Sequence, residues 1–172
     1  MKILVTGAAG FIGMTTTLRL LERGDEVESA IRQAGLPCLR RSRMLREPAC
    51  DEASPPPGAV LLADTTGELF AFCALADLVF VGKTLPPHVG GQNMIEPASL
   101  GKAVVVGPHT ENFAGVMAIL REAGAVREIP GATALVPVLR AWLEQPGERA
   151  ALGRRAAGAV AAQAGALPRS AQ

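Results

Sequence analysis

Apolar residues fall along this chain in short blocks separated by polar stretches rich in glycine and proline. Ile3-Leu4-Val5, Val60-Leu61-Leu62, Leu78-Val79-Phe80-Val81 and Ala103-Val104-Val105-Val106 are unbroken runs without alternation. Such runs predict strands buried on both faces, as in a parallel sheet. Between them the apolar spacing changes to threes and fours. Residues 11–23 predict a helix with Ile12, Leu18 and Leu21 turned inward, closed by Gly24. Residues 26–34 predict a second, through Val27, Ile31 and Ala34. Further helices are predicted over 67–76, 93–100 and 112–123, and again from about residue 133, fraying after Gly165. Residues 48–58 read as a Pro-rich linker or long loop, and 82–92 as a Gly/Pro-rich loop. No internal repeat is visible.

Alternating short strands and helices imply an α/β fold with right-handed crossovers. The expected architecture is a single Rossmann-like, doubly wound parallel sheet of about five to six strands, with ligand loops at the C-terminal strand edge.

Composition sharpens this picture without changing it. The 172 residues are 49% hydrophobic, enough for the core of one domain, with five Phe, one Trp and no Tyr. The core must therefore be mainly aliphatic. Seventeen basic against sixteen acidic residues leave a formal charge of +1, which gives no electrostatic case for a nucleic-acid partner. The one basic cluster is Arg40, Arg41, Arg43 and Arg46. It reads as a solvated loop or helix edge, or alternatively as a contact for an anionic substrate or lipid surface. Cys38, Cys50 and Cys73 have no metal-ligand spacing and cannot all pair, which points to a reduced, cytoplasmic compartment. Cys73, within an apolar run, is expected to be a buried small hydrophobe. No secretory signal is evident, and the longest apolar segment, 69–81, is broken by Asp77 and falls short of the roughly 20 residues that cross a bilayer. A soluble protein is expected, at most peripheral to the inner membrane.

Gly7-Ala8-Ala9-Gly10-Phe11-Ile12-Gly13 lies between a predicted strand and helix. Glycines there permit a tight turn and close approach of backbone to a pyrophosphate. Residues 1–27 accordingly resemble the opening of the NAD-dependent nucleotide-sugar epimerases, which makes Gly7, Gly10 and Gly13 weak cofactor-site candidates. The partner features are missing. No acidic residue closes a second strand, since Glu28 comes early, and a chain without tyrosine cannot supply the Tyr-x-x-x-Lys pair of that chemistry. A strand-to-helix turn with no cofactor is the alternative, and no cofactor is expected.

Four motifs fall at later strand ends. In Asp64-Thr65-Thr66-Gly67-Glu68, Thr65 and Glu68 have the spacing of a capping box. Gly82-Lys83-Thr84 opens the long loop. In Gly90-Gly91-Gln92-Asn93-Met94-Ile95-Glu96-Pro97, two glycines free the backbone to approach a ligand and a helix N-terminus follows, a setting for phosphate. Glu96 is placed either to accept from a ribose diol or simply to favour the helix dipole. Gly107-Pro108-His109-Thr110-Glu111-Asn112-Phe113 is again a strand end leading into a helix. Neither histidine has a second metal-type ligand nearby, so no metal site is expected.

These motifs, in this order, resemble the donor-binding half of the 3-deoxy-D-manno-octulosonic acid (Kdo) transferases, glycosyltransferases of the GT-B class. The resemblance runs through Ala30-Ile31-Arg32-Gln33-Ala34-Gly35-Leu36-Pro37, residues 60–69, 76–82, 90–98 and 101–113, and covers roughly 26–165. It places the domain boundary at 27/28, with 1–27 as a dinucleotide-binding-like start and 28–172 as a GT-B C-terminal nucleotide-sugar domain. It implies metal-independent, inverting transfer of Kdo from its cytidine monophosphate donor to a lipid A precursor. Gly90, Gly91, Gln92 and Asn93 would surround the donor phosphate and sugar, Glu96 would hold the ribose, and Gly67, Glu68, His109 and Asn112 would line the same cleft. The implied partners are a cytidine nucleotide sugar, a separate acceptor domain and an anionic membrane surface. This sequence departs from the family at Gln92, where His is commoner, and at Lys83, where a small residue is common. An acceptor domain is not recognised in it, and with that the general base. Catalytic residues are therefore unassigned, and a domain inactive by itself is expected.

Overall fold

A computed structural model of the protein describes residues 3–6, 26–46 and 55–166. In chain order the elements are β1 (Ile3–Thr6), α1 (26–33), β2 (Cys38–Arg40), α2 (Arg41–Arg46), β3 (Val60–Leu62), α3 (Leu69–Leu75), β4 (Leu78–Val81), α4 (Ile95–Ser99), β5 (Ala103–Val106), α5 (Ala114–Glu122), β6 (Arg127–Glu128), α6 (Leu135–Glu144) and α7 (Pro146–Ala166). They divide into two compact units. The larger contains 3–6 and 69–166, the smaller 26–46 and 55–68.

The larger unit is a parallel sheet in the order β1-β4-β5-β6. Leu78 to Val81 lie opposite Ile3 to Thr6 on one side and Ala103 to Val106 on the other. All four residues of β4 and of β5 are buried, which is why these strands read as unbroken apolar runs. Their period of two sorts them between two apolar layers. Val79, Val81, Val104 and Val106 pack with Cys73, Met94, Ala98, Met117, Leu120 and Ala156 from α3, the segment leading into α4, α4 itself, α5 and α7. Leu78, Phe80, Ala103 and Val105 pack with Ile129 and Trp142, and with the half-buried Leu135, Val138 and Leu139 of α6. Helices thus cover both faces, as a doubly wound α/β fold requires. Each fully buried Leu, Val or Met contributes about 1.5–3 kcal/mol. Burial pushes the Cys73 thiol up to about 11, in keeping with a small hydrophobe.

The smaller unit pairs β2 with β3 in parallel, Cys38 opposite Val60 and Arg40 opposite Leu62. Its centre is ionic. Arg40, only 7% exposed, donates through Nε to Asp64 and approaches Glu28 Oε2 at 3.4 Å. Asp64 also accepts from the Ser42 amide at 2.8 Å and the Ser42 hydroxyl at 2.6 Å. Glu28, likewise buried, takes Arg32 at 2.9 Å and Arg43 at 2.8 Å.

Several expectations need correction. The described strands form a four-stranded sheet and a separate two-stranded one, where a single sheet was expected. β2 was not anticipated, because a strand ending in arginine looks polar until its partner carboxylates are known. β6 has only two residues, both exposed, and carries no apolar signal. Helix α3 begins at Leu69 and not at Gly67, so Thr65 and Glu68 form no capping box. Instead the Thr65 hydroxyl and Arg41 both donate to the Glu68 carboxylate, Arg41 Nη2 at 2.8 Å. The arginine cluster is a solvated edge only in part: Arg40 is buried and Arg41 half-buried against carboxylates, whereas Arg43, though paired with Glu28, and Arg46 are exposed. The predicted helix at 11–23, Gly7, Gly10, Gly13, Cys50 and most of the 48–58 linker lie outside the described residues. Among the described residues, no helix is long and apolar enough to cross a membrane.

Candidate functional site

In the larger unit two loops leave the C-terminal ends of neighbouring strands. One follows β4 and leads to α4; the other follows β5 and enters α5 through a 3-10 turn at Glu111–Phe113. Thr84 joins them. Its fully buried hydroxyl donates to the Val81 carbonyl at 2.5 Å, a local back-bond across three residues, and accepts from the Gly107 amide at 2.7 Å. The Thr84 carbonyl accepts from the His109 amide at 3.0 Å. The loops pass so closely that a Cβ on Gly107 would stand 2.2 Å from the Thr84 carbonyl oxygen.

A second junction lies further out. The Gly90 amide donates to Glu111 Oε2 at 2.8 Å, and the Gly90 carbonyl accepts from the Asn112 amide at 3.2 Å. Glu111 Oε1 faces His109 Nδ1 at 3.1 Å. The carboxyl of Glu111 is held below its ordinary value by its own backbone amide first, then by the His109 ring and the Gly90 amide. Gly91 sits between the junctions with φ +75°, and a Cβ there would lie 2.8 Å from the His109 carbonyl oxygen. Conformation and space both require glycine at that position.

The start of α4 completes the arrangement. Asn93 Oδ1 accepts from the Ile95 amide at 2.9 Å, an Asx turn leading into the helix, while Asn93 Nδ2 donates to Glu96 Oε1 at 3.0 Å. Pro97 is tolerated because first-turn amides need no intrahelical partner. Buried Met94, Pro97 and Ala98 anchor the element. The helix spans only Ile95–Ser99, shorter than the predicted 93–100, so fewer aligned peptide dipoles stand behind the loop amides. Lys83, where a small residue would be expected, is held at φ +55°, a left-handed conformation costly for a side-chain-bearing residue. Among the described residues no group of three or more His, Cys, Asp or Glu side chains could hold a metal ion.

No protein-family model matches the chain. Curated relatives do. A 3-deoxy-D-manno-octulosonic acid transferase of Bordetella pertussis is 37% identical over 149 residues, 87% of this chain and 33% of that protein. The chain is related to the Kdo transferases. The enzyme of that name from Haemophilus influenzae is 35% identical over 111 residues, 64% of this chain and 26% of its own length. The chain therefore spans about a third of the length of the Kdo transferases it matches. The crystal structure of the C-terminal CMP-Kdo binding domain of WaaA from Acinetobacter baumannii superposes with a TM-score of 0.74 at 24% identity, covering 92% of this chain and 89% of that one. The α/β, Rossmann-like fold is that of the C-terminal domain of a GT-B protein.

Against the Kdo-transferase-like motifs, the structure gathers Gly90, Gly91, Gln92, Asn93, Glu96, His109 and Asn112 on these two loops and the start of α4. Gly67 and Glu68 belong to the smaller unit, where Glu68 is bound by Arg41, and no role in this site is derived for them. Glu68 is held below its ordinary value by Arg41 and then Thr65. Two residues with structural weight were not among the site candidates. Thr84 was visible only as part of a motif, although its spacing of three from a strand end is a signal for back-bonding. Glu111 was passed over because its partners, Gly90 and His109, are set by loop crossing and not by local pattern.

Proposed function

We propose that the larger unit is the donor-binding part of a Kdo transferase, taking the cytidine monophosphate ester of Kdo. The observation that carries this reading is the pair of cross-bonded loops at adjacent strand ends. Such strand-end clefts are where α/β sheets receive ligands, and here they coincide with the Kdo-transferase motifs. In this reading the backbone at Gly90 and Gly91, with Gln92 and Asn93, surrounds the donor phosphate and sugar. Glu96 holds the ribose diol through Oε2, since Oε1 already accepts from Asn93. His109 and Asn112 line the sugar side. Binding needs no metal.

Transfer to a lipid A precursor would then draw on an acceptor domain and a general base outside this unit, at the cytoplasmic face of an anionic membrane. The kinship with Kdo transferases and the fold shared with a CMP-Kdo binding domain support the donor-binding part of this reading.

Calorimetric titration with cytidine monophosphate, with NAD in parallel, tests it. Cytidine nucleotide binding without NAD binding is expected. Glu96→Ala should weaken the nucleotide by about 10- to 100-fold, the value of hydrogen bonds to a charged acceptor, with the fold retained. Binding of NAD alone, or of neither nucleotide, would overturn the assignment, and undiminished affinity in the variant would remove Glu96 from the site.

A further inference from the structure

Glu111 stands outside the residues assigned to the nucleotide, yet both of its oxygens are turned onto the site's framework. Oε2 accepts from the Gly90 amide at 2.8 Å and Oε1 meets His109 Nδ1 at 3.1 Å. The adjacent Asn112 amide returns a bond to the Gly90 carbonyl at 3.2 Å, so one short segment grips both polar groups of the Gly90 backbone. We propose that Glu111 is a positioning residue for His109, fixing the imidazole in its Nδ1–H tautomer and presenting Nε2 to the donor sugar as a hydrogen-bond acceptor.

The chemistry follows from the inventory of donors. An ionised carboxylate can only accept, so the ring nitrogen facing it must carry the proton. In the neutral imidazole the other nitrogen, Nε2, is then an acceptor. Nε2 has no hydrogen-bonding partner among the described residues, and the His109 side chain is 29% exposed. An acceptor at that place suits a sugar hydroxyl and discriminates against a bare anionic oxygen. The His109 amide is meanwhile fixed by Thr84, so main chain and ring are held by separate loop contacts. The inference rests on the donor-site reading for the ligand, but its geometric content stands without it.

Glu111→Gln separates the two. The glutamine carbonyl oxygen is the only atom able to satisfy the Gly90 amide, which turns its NH2 toward His109 and asks Nδ1 to accept. Nitrogen-15 spectra of the imidazoles, with His88→Gln in both proteins to leave one histidine, read the tautomer directly. The Nδ1–H form should dominate with Glu111, and the Nε2–H form should become dominant in Glu111→Gln at unchanged melting temperature. Titration with the Kdo ester of cytidine monophosphate should then weaken by about 3- to 10-fold in the variant, the value of one reversed hydrogen bond, while cytidine monophosphate itself is unaffected. An Nε2–H ring with Glu111 present, or a tautomer indifferent to the substitution, overturns the proposal even if the nucleotide binds. Equal weakening of both ligands would mean Glu111 holds only the Gly90 loop, and also overturns it. If the unsubstituted chain bound neither ligand, the donor-site reading would fail, and the spectra alone would decide the tautomer.

Discussion

The two units solve the same problem with opposite materials. In the larger, β4 and β5 are buried end to end and face two layers of aliphatic side chains. In the smaller, the strands are only partly covered, and the groups most enclosed are Glu28, Arg40, Cys38 and the Asp64 carboxylate. Burial of hydrocarbon is indifferent to pH and needs no partner of defined geometry. A buried ion pair depends on both and on complete hydrogen bonding, because desolvation opposes it. The two units therefore have different vulnerabilities.

Acid should separate them most widely. Arg32 chiefly, then Arg43, holds Glu28 below its ordinary value of 4.5. Burial resists ionisation of Asp64, but Ser42 and Arg40 outweigh it and leave the group below 3.8. Folded values lower than unfolded ones mean stability that is complete above the unfolded values and lost as pH falls through the folded ones. Amide protection in β2 and β3 should therefore vanish at a higher pH than the native emission of Trp142, the single tryptophan, which is buried in the larger unit. Loss of both signals together would break the contrast.

Arg40→Ala comes next. Removing one member of a buried pair leaves the Asp64 charge enclosed, at a cost of about 3–5 kcal/mol. Replacing both, as Arg40→Met with Asp64→Leu, should recover most of that loss, which urea unfolding followed by hydrogen exchange in β2 can measure. Failure of the double variant to recover would show that Glu28 and Ser42 need the pair for more than charge balance.

Thr84→Val is the smaller test, placed in the larger unit where a buried polar contact does occur. It strands the Gly107 amide and the Val81 carbonyl, at about 1–3 kcal/mol. Thermal unfolding should report that modest loss, while nucleotide affinity falls further than stability does, because the two loops lose their registry. Equal, small effects on both would reduce Thr84 to a core residue.

The larger unit was the more legible in sequence for the same physical reason. Leu78–Val81 and Ala103–Val106 match their strands residue for residue, since apolar runs report burial directly, whereas Val60-Leu61-Leu62 in the smaller unit matches β3 although that strand is only partly covered. Helix ends drifted by one or two residues where caps were misassigned, as at Leu69 and Ile95. Arg40 and Arg41 were misread because charge in sequence signals exposure until a carboxylate far along the chain answers it. Asp64 is 24 residues from Arg40, and Glu68 is 27 from Arg41. The glycines at 90 and 91 announced a ligand loop, but the bonds that hold it, from Thr84 to Gly107 and from Glu111 to Gly90, span 23 and 21 residues and leave no local trace.

The tie between the two strand-end loops also bears on the thermodynamics of recognition. Loops that are free before binding surrender conformational entropy when a ligand arrives, about 1–2 kcal/mol for each residue fixed. Here Thr84 and Glu111 have already fixed the segment around 84–91 and 107–112 through bonds made at folding. In the proposed donor site a nucleotide would meet a preorganised surface, so its affinity would reflect contacts made rather than order imposed, with little entropic penalty from the protein.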